Sequence, residues 1–98
     1  MSYIVKNVNG SSKRATLPTG YSSWIDFWEK KSGKIARTCK RIFCEDPATD
    51  GAHVQVEGHG NYWYIVPLCH ADNMSSSDVS FTIEGPLVPV NDTLEILP

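Results

Sequence analysis

Cys39, Cys44 and Cys69 are the side chains of this sequence with the clearest chemical potential, because thiolates bind borderline-soft divalent cations and three of them supply most of a tetrahedral zinc site. Cys39 and Cys44 sit close together, and Cys69 follows a stretch patterned as a hairpin, which would return its end to the first pair. An ion at that junction contributes folding free energy directly, a large effect in a small domain. A disulfide between Cys39 and Cys44 is a competing use, and burial of three small apolar thiols is another. The odd number of cysteines favours metal over pairing. So does the segment from Met1 to Lys6, which lacks the apolar core of a secretory leader and points to a reducing, cytoplasmic setting.

The elements that must position these thiols can be read from local pattern. With 98 residues, 41% of them hydrophobic, the chain suits one folded domain over residues 1–98, too short for a second core. Residues 2–8 are compatible with a strand, and residues 10–20 read as a loop, with a short extended piece at 15–17. An amphipathic helix follows. Ser22 or Ser23 supplies its N-cap, Asp26 lies in its first turn, and Trp24, Phe27 and Trp28 form an apolar stripe. Lys30 and Lys31 suit its carboxyl end, and Gly33 is a natural residue to terminate it. Residues 52–57 alternate as a strand, 58–61 form a turn, and 62–66 return, making a β-hairpin. A helical turn after Cys69 reaches Met74, strands are expected at 79–84 and 87–90, and the last residues form a frayed or edge-packed tail. The class is α+β, in three stretches: 1–36 an N-terminal strand and helix, 37–78 the knuckle, hairpin and short helix, and 79–98 the closing strands.

The run from Arg37 to Asn73 resembles the HNH family, whose ββα-metal core is often braced by a treble-clef zinc. The stretches that carry the resemblance are Gly51-Ala52-His53-Val54, Tyr64-Ile65-Val66-Pro67-Leu68-Cys69 and Cys69-His70-Ala71-Asp72-Asn73. It implies a small treble-clef core and a structural zinc ion held by Cys39, Cys44 and Cys69, with Asp72 standing where the family has its fourth Cys. A carboxylate can complete such a site, and position 72 shares a helical face with Cys69. His70, next to Cys69, is the alternative fourth ligand.

The resemblance also places His53 at the position of the family's general base, with Ala52 where a metal-binding acid or His belongs, Tyr64 in place of an orienting Asn, and Asn73 in place of the terminal His. Alanine ligates nothing, so a catalytic divalent metal is not expected, and without one phosphodiester cleavage loses its main electrostatic stabilisation. His53 then reads as an imidazole that packs or hydrogen-bonds at the hairpin base. The alternative is a divergent endonuclease in which His53 is the base and Asn73, with a neighbouring carboxylate, recruits Mg²⁺ or another ion.

Charge is segregated along the chain. All nine Lys and Arg precede residue 42 against two acids, a net of +7, and the remainder carries nine acids and no Lys or Arg. Lys30, Lys31, Lys34, Arg37, Lys40 and Arg41 crowd into twelve residues, a pattern suited to backbone phosphates read without regard to sequence. A solvated helix end and loop would look the same, and a pI near 5.8 is unlike a basic nucleic-acid binder. The expected function is therefore a non-catalytic, zinc-braced binding module for nucleic acid or a nucleic-acid-handling protein, of the kind a bacterial phage or mobile element uses to block a host complex, the acidic half imitating nucleic acid.

Overall fold

A computed structural model describes residues 1–8 and 15–98. Much of the loop expected at 10–20 lies outside the described residues, and Ala15 to Leu17 form no strand. Among the described residues five strands make one antiparallel sheet: β1 (Ser2–Asn7), β2 (Asp50–Val56), β3 (Tyr64–Leu68), β4 (Ser80–Glu84) and β5 (Val88–Pro89), in the order β4-β1-β2-β3-β5. Two helices, α1 (Trp24–Ser32) and α2 (His70–Asn73), complete an α+β fold. β1 belongs to the N-terminal stretch yet lies inside the sheet, between β4 and β2.

Strand parity divides the core. Ala52, Val54 and Val56 of β2 share one face with Val5, Tyr64, Val66, Leu68, Phe81 and Ile83, and Cys39 and Cys69 pack in the same cluster. Ile65 and Val88 point the other way, onto Phe27 and Trp28 of α1. β3 is therefore buried on both faces, which explains its unbroken apolar run. Pro67 is tolerated in this inner strand because its backbone faces the side where β5 has ended, and its carbonyl accepts from Lys40 N at 3.0 Å.

α1 begins where the sequence marks it. Ser23 is the N-cap, its Oγ accepting from Asp26 N at 3.0 Å, and Ser22 N donates to Asp26 Oδ2 at 3.0 Å. Gly33 closes the helix at φ 73°, where its N–H reaches Glu29 O. Trp28 is fully buried and donates Nε1–H to Pro86 O at 2.9 Å. The helix can sit this close to β2 because residue 51 is glycine: a Cβ there would lie 2.6 Å from the Trp24 and Ile25 backbone.

The hairpin is displaced from its sequence reading, with β2 starting at Asp50 and β3 spanning Tyr64–Leu68 instead of 62–66. Pairing runs from Asp50↔Leu68 to Val54↔Tyr64, so Tyr62 and Trp63 belong to a wider loop. The tail is packed against the sheet edge: Leu87 and Leu97 exchange backbone hydrogen bonds, and Tyr3 Oη donates to Pro98 O at 2.8 Å.

Candidate metal centre

The knuckle holding Cys39 and Cys44 is a strap pinned at both sides to the sheet. Cys39 N donates to Asp46 O and Cys44 N to Arg41 O, which closes a tight turn. Ile42 N donates to Thr82 O and Glu84 N to Lys40 O, so β4 and the end of β3 both hold the strap. The turn forces Phe43 to φ 67°, the one positive value outside glycine among the described residues. Cys69 follows directly on β3 and is the N-cap residue of α2, and Asp72 lies on the same side of that single turn.

These elements bring four donors together. The Sγ atoms of Cys39, Cys44 and Cys69 and a carboxylate oxygen of Asp72 all lie within 4.8 Å of one another. Cys39 Sγ and Cys69 Sγ are each 3.2 Å from Asp72 Oδ2, and Cys44 Sγ is 3.9 Å from Cys69 Sγ. A tetrahedral zinc ion with ordinary Zn–S bonds of about 2.3 Å needs sulfurs about 3.8 Å apart and a slightly shorter S···O distance. The donor set thus fits a divalent metal in both chemistry and spacing.

Hydrogen bonds join the same four side chains. Burial pushes the Cys39 thiol up to about 12 and raises that of Cys69, so both hold protons that hydrogen-bond Asp72. Burial alone would raise Asp72, but hydrogen bonds from Cys39, Cys69 and Arg41 outweigh it and keep the carboxyl below its usual range. Arg41 Nη1 lies 2.9 Å from Asp72 Oδ1, leaving Oδ2 to face the sulfurs. A dication in this cluster replaces the thiol protons and removes the cost of clustered thiolates.

His70 takes a different direction. Its Nδ1 lies 2.7 Å from Asp50 Oδ2, which also accepts from Asn73 Nδ2 at 2.8 Å, while Thr49 Oγ1 donates to Asp50 Oδ1. On one helical turn, positions 69 and 72 share a face and positions 70 and 73 share the next, so the fold directs Asp72 to the thiols and His70 to β2. Asp50 was not singled out in the sequence, although it directly precedes the Gly51–Ala52 step and opens β2. Asn7 was also missed: it occupies an inward position of β1 and donates Nδ2–H to the Asp72 carbonyl at 2.8 Å, tying α2 to the sheet. Its signal was a polar residue in phase with Val5.

His53 lies on the opposite face of β2 from the sulfurs. It is 6% exposed, stacked edge-on against Trp24 at 4.7 Å and Trp63 at 5.8 Å between ring centroids. Burial pulls its pKa down to about 4, and its Nε2 has no hydrogen-bond partner among the described residues. Ala52 points into the other core and is 1% exposed.

The six cations of residues 30–41 separate into two groups. Lys30 pairs with Asp26 at 3.1 Å and Arg41 with Asp72 at 2.9 Å. Lys31, Lys34, Arg37 and Lys40 have no carboxylate partner among the described residues, although Lys31 Nζ lies 6.0 Å from the Phe27 ring centre and Lys40 Nζ 5.9 Å from that of Trp28. Among the described residues no helix is long and apolar enough to cross a membrane. No protein-family model, curated protein or solved structure matches this chain.

Proposed function

We propose that this chain is a non-catalytic binding module, built on a treble-clef core similar to that of HNH proteins and braced by a structural zinc ion on Cys39, Cys44, Cys69 and Asp72. It contacts nucleic acid, or a protein that handles nucleic acid, through the side of the knuckle that carries Arg37 and Lys40. The observation that carries this reading is the convergence of four donors from the knuckle, the end of β3 and α2 within 4.8 Å. Nuclease chemistry would require His53 to reach solvent and a metal-bound phosphate, and the two tryptophans that enclose it argue against that role.

Elemental analysis of the purified protein tests the brace, with one zinc per chain expected and a metal-free folded protein counting against it. Incubation with plasmid DNA across a panel of divalent metals tests the absence of catalysis. Nicking that disappears in His53→Ala would replace this reading with the endonuclease one. Titration of binding against salt tests the phosphate contacts, since affinity carried by Arg37, Lys40 and Lys34 falls steeply as salt rises.

A further inference from the structure

Phe43 occupies the tip of the knuckle with its side chain fully exposed. Its backbone is left-handed at φ 67°, a conformation that glycine or asparagine adopts readily and a bulky aromatic residue does not. The turn between Arg41 and Cys44 accounts for the conformation but not for the residue. An aromatic ring here bears strain and exposes apolar surface with no packing in return, a combination that marks residues kept for contact with something else.

The surroundings say what that contact is. Phe43 lines a groove of about 400 Å³ together with Ile35, Arg37 and Lys40, and Ile35 is itself 64% exposed. Among the described residues the only carboxylate lining the groove belongs to Glu84, and it is held by the Met1 ammonium at 2.8 Å. Arg41 also lines it, but its guanidinium is turned to Asp72. What remains available is an apolar ring flanked by two cations without carboxylate partners. Such a pairing matches a flexible strand that offers a flat base and a phosphate within one nucleotide of each other.

We infer that Phe43 is a stacking platform for an unpaired base, and that the module binds single-stranded nucleic acid with Arg37 and Lys40 on the flanking phosphates. The inference rests on the binding-module reading above and specifies its ligand. A duplex does not satisfy the site, because its bases are stacked on one another and present no open face to a knuckle tip.

The test is fluorescence anisotropy with the full, zinc-loaded chain, using short labelled DNA and RNA single strands and the DNA duplex of the same sequence. Phe43→Ala is expected to weaken single-strand binding about tenfold, Phe43→Trp to retain it with quenching of the new indole, and Arg37→Glu to weaken all binding. The relative affinities of the DNA and RNA strands identify the natural ligand. Because the Phe43 side chain is fully exposed, Phe43→Ala is expected to keep its zinc and its thermal midpoint, so a loss of binding reports the ring itself. Equal single-strand affinity for Phe43→Ala and wild type, or tighter wild-type binding to duplex, overturns the stacking role while leaving the basic contacts in place. Wild-type protein that binds none of the three overturns both the stacking role and direct nucleic-acid contact, and makes a protein the occupant of the groove.

Discussion

Arg41 and Asp72 form an ion pair at 2.9 Å that links the knuckle to α2 and orients the carboxylate, Oδ1 toward the guanidinium and Oδ2 toward Cys39 and Cys69. A residue that sequence places among phosphate-binding cations is thus part of the candidate metal centre. Partners of this kind around a metal ligand fix its orientation and raise its affinity.

Arg41→Gln is therefore expected to weaken zinc binding about 10- to 100-fold without abolishing it, while Asp72→Ala removes a ligand and weakens it further. Competition with a chromophoric chelator measures both. Equal affinity in wild type and Arg41→Gln would show that the ion pair does not support the site.

Chelation should unfold the knuckle. With EDTA the thermal midpoint is expected to fall sharply, since metal binding in a small domain is coupled to folding. His70→Ala should keep full zinc content, because its imidazole is engaged by Asp50 and not by the thiols. Loss of the metal in His70→Ala would place the ligand set elsewhere.

His53 makes stability depend on pH in a defined window. Its folded pKa, near 4, lies below the ordinary value of 6.5, so between these values the unfolded chain binds the proton and the folded one does not. Stability is full above about pH 6.5 and falls as pH drops toward 4, by about 2 kcal/mol once residual solvation of the ring is allowed for. Comparing denaturation curves of wild type and His53→Gln across this range cancels the contribution of the thiols. Parallel pH profiles for the two proteins would refute the assignment.

Gly51→Ala should be among the more damaging single-carbon additions. The new methyl group would meet Trp24 and Ile25 backbone at 2.6 Å, so α1 must move off β2, at a cost of about 1–3 kcal/mol. Urea denaturation measures the loss, and zinc stoichiometry should be unchanged because the clash lies on the opposite face of the sheet.

What sequence alone determined was local. Ser23, Asp26 and Gly33 bound α1 through contacts within a few residues, and the alternation of β2 identified a hairpin whichever face was inward. The three thiols could be read as one set, with Asp72 their nearest helical neighbour, because residue type and a three-residue spacing are properties of the chain itself. Tertiary structure decided everything that depends on which surfaces meet. Parity puts His53 opposite Ala52 and Val54, but only the packing of α1 onto that face encloses it between Trp24 and Trp63. The hairpin register was set by the cross-strand pairs from Asp50↔Leu68 to Val54↔Tyr64, not by the glycines of the turn, and β1 found its place between β4 and β2 through contacts with residues about fifty and eighty positions away. Arg41 and Phe43 are two residues apart in one basic segment, yet one faces Asp72 and the other solvent, because a turn that brings Cys44 toward Cys69 must direct its intervening side chains to opposite sides.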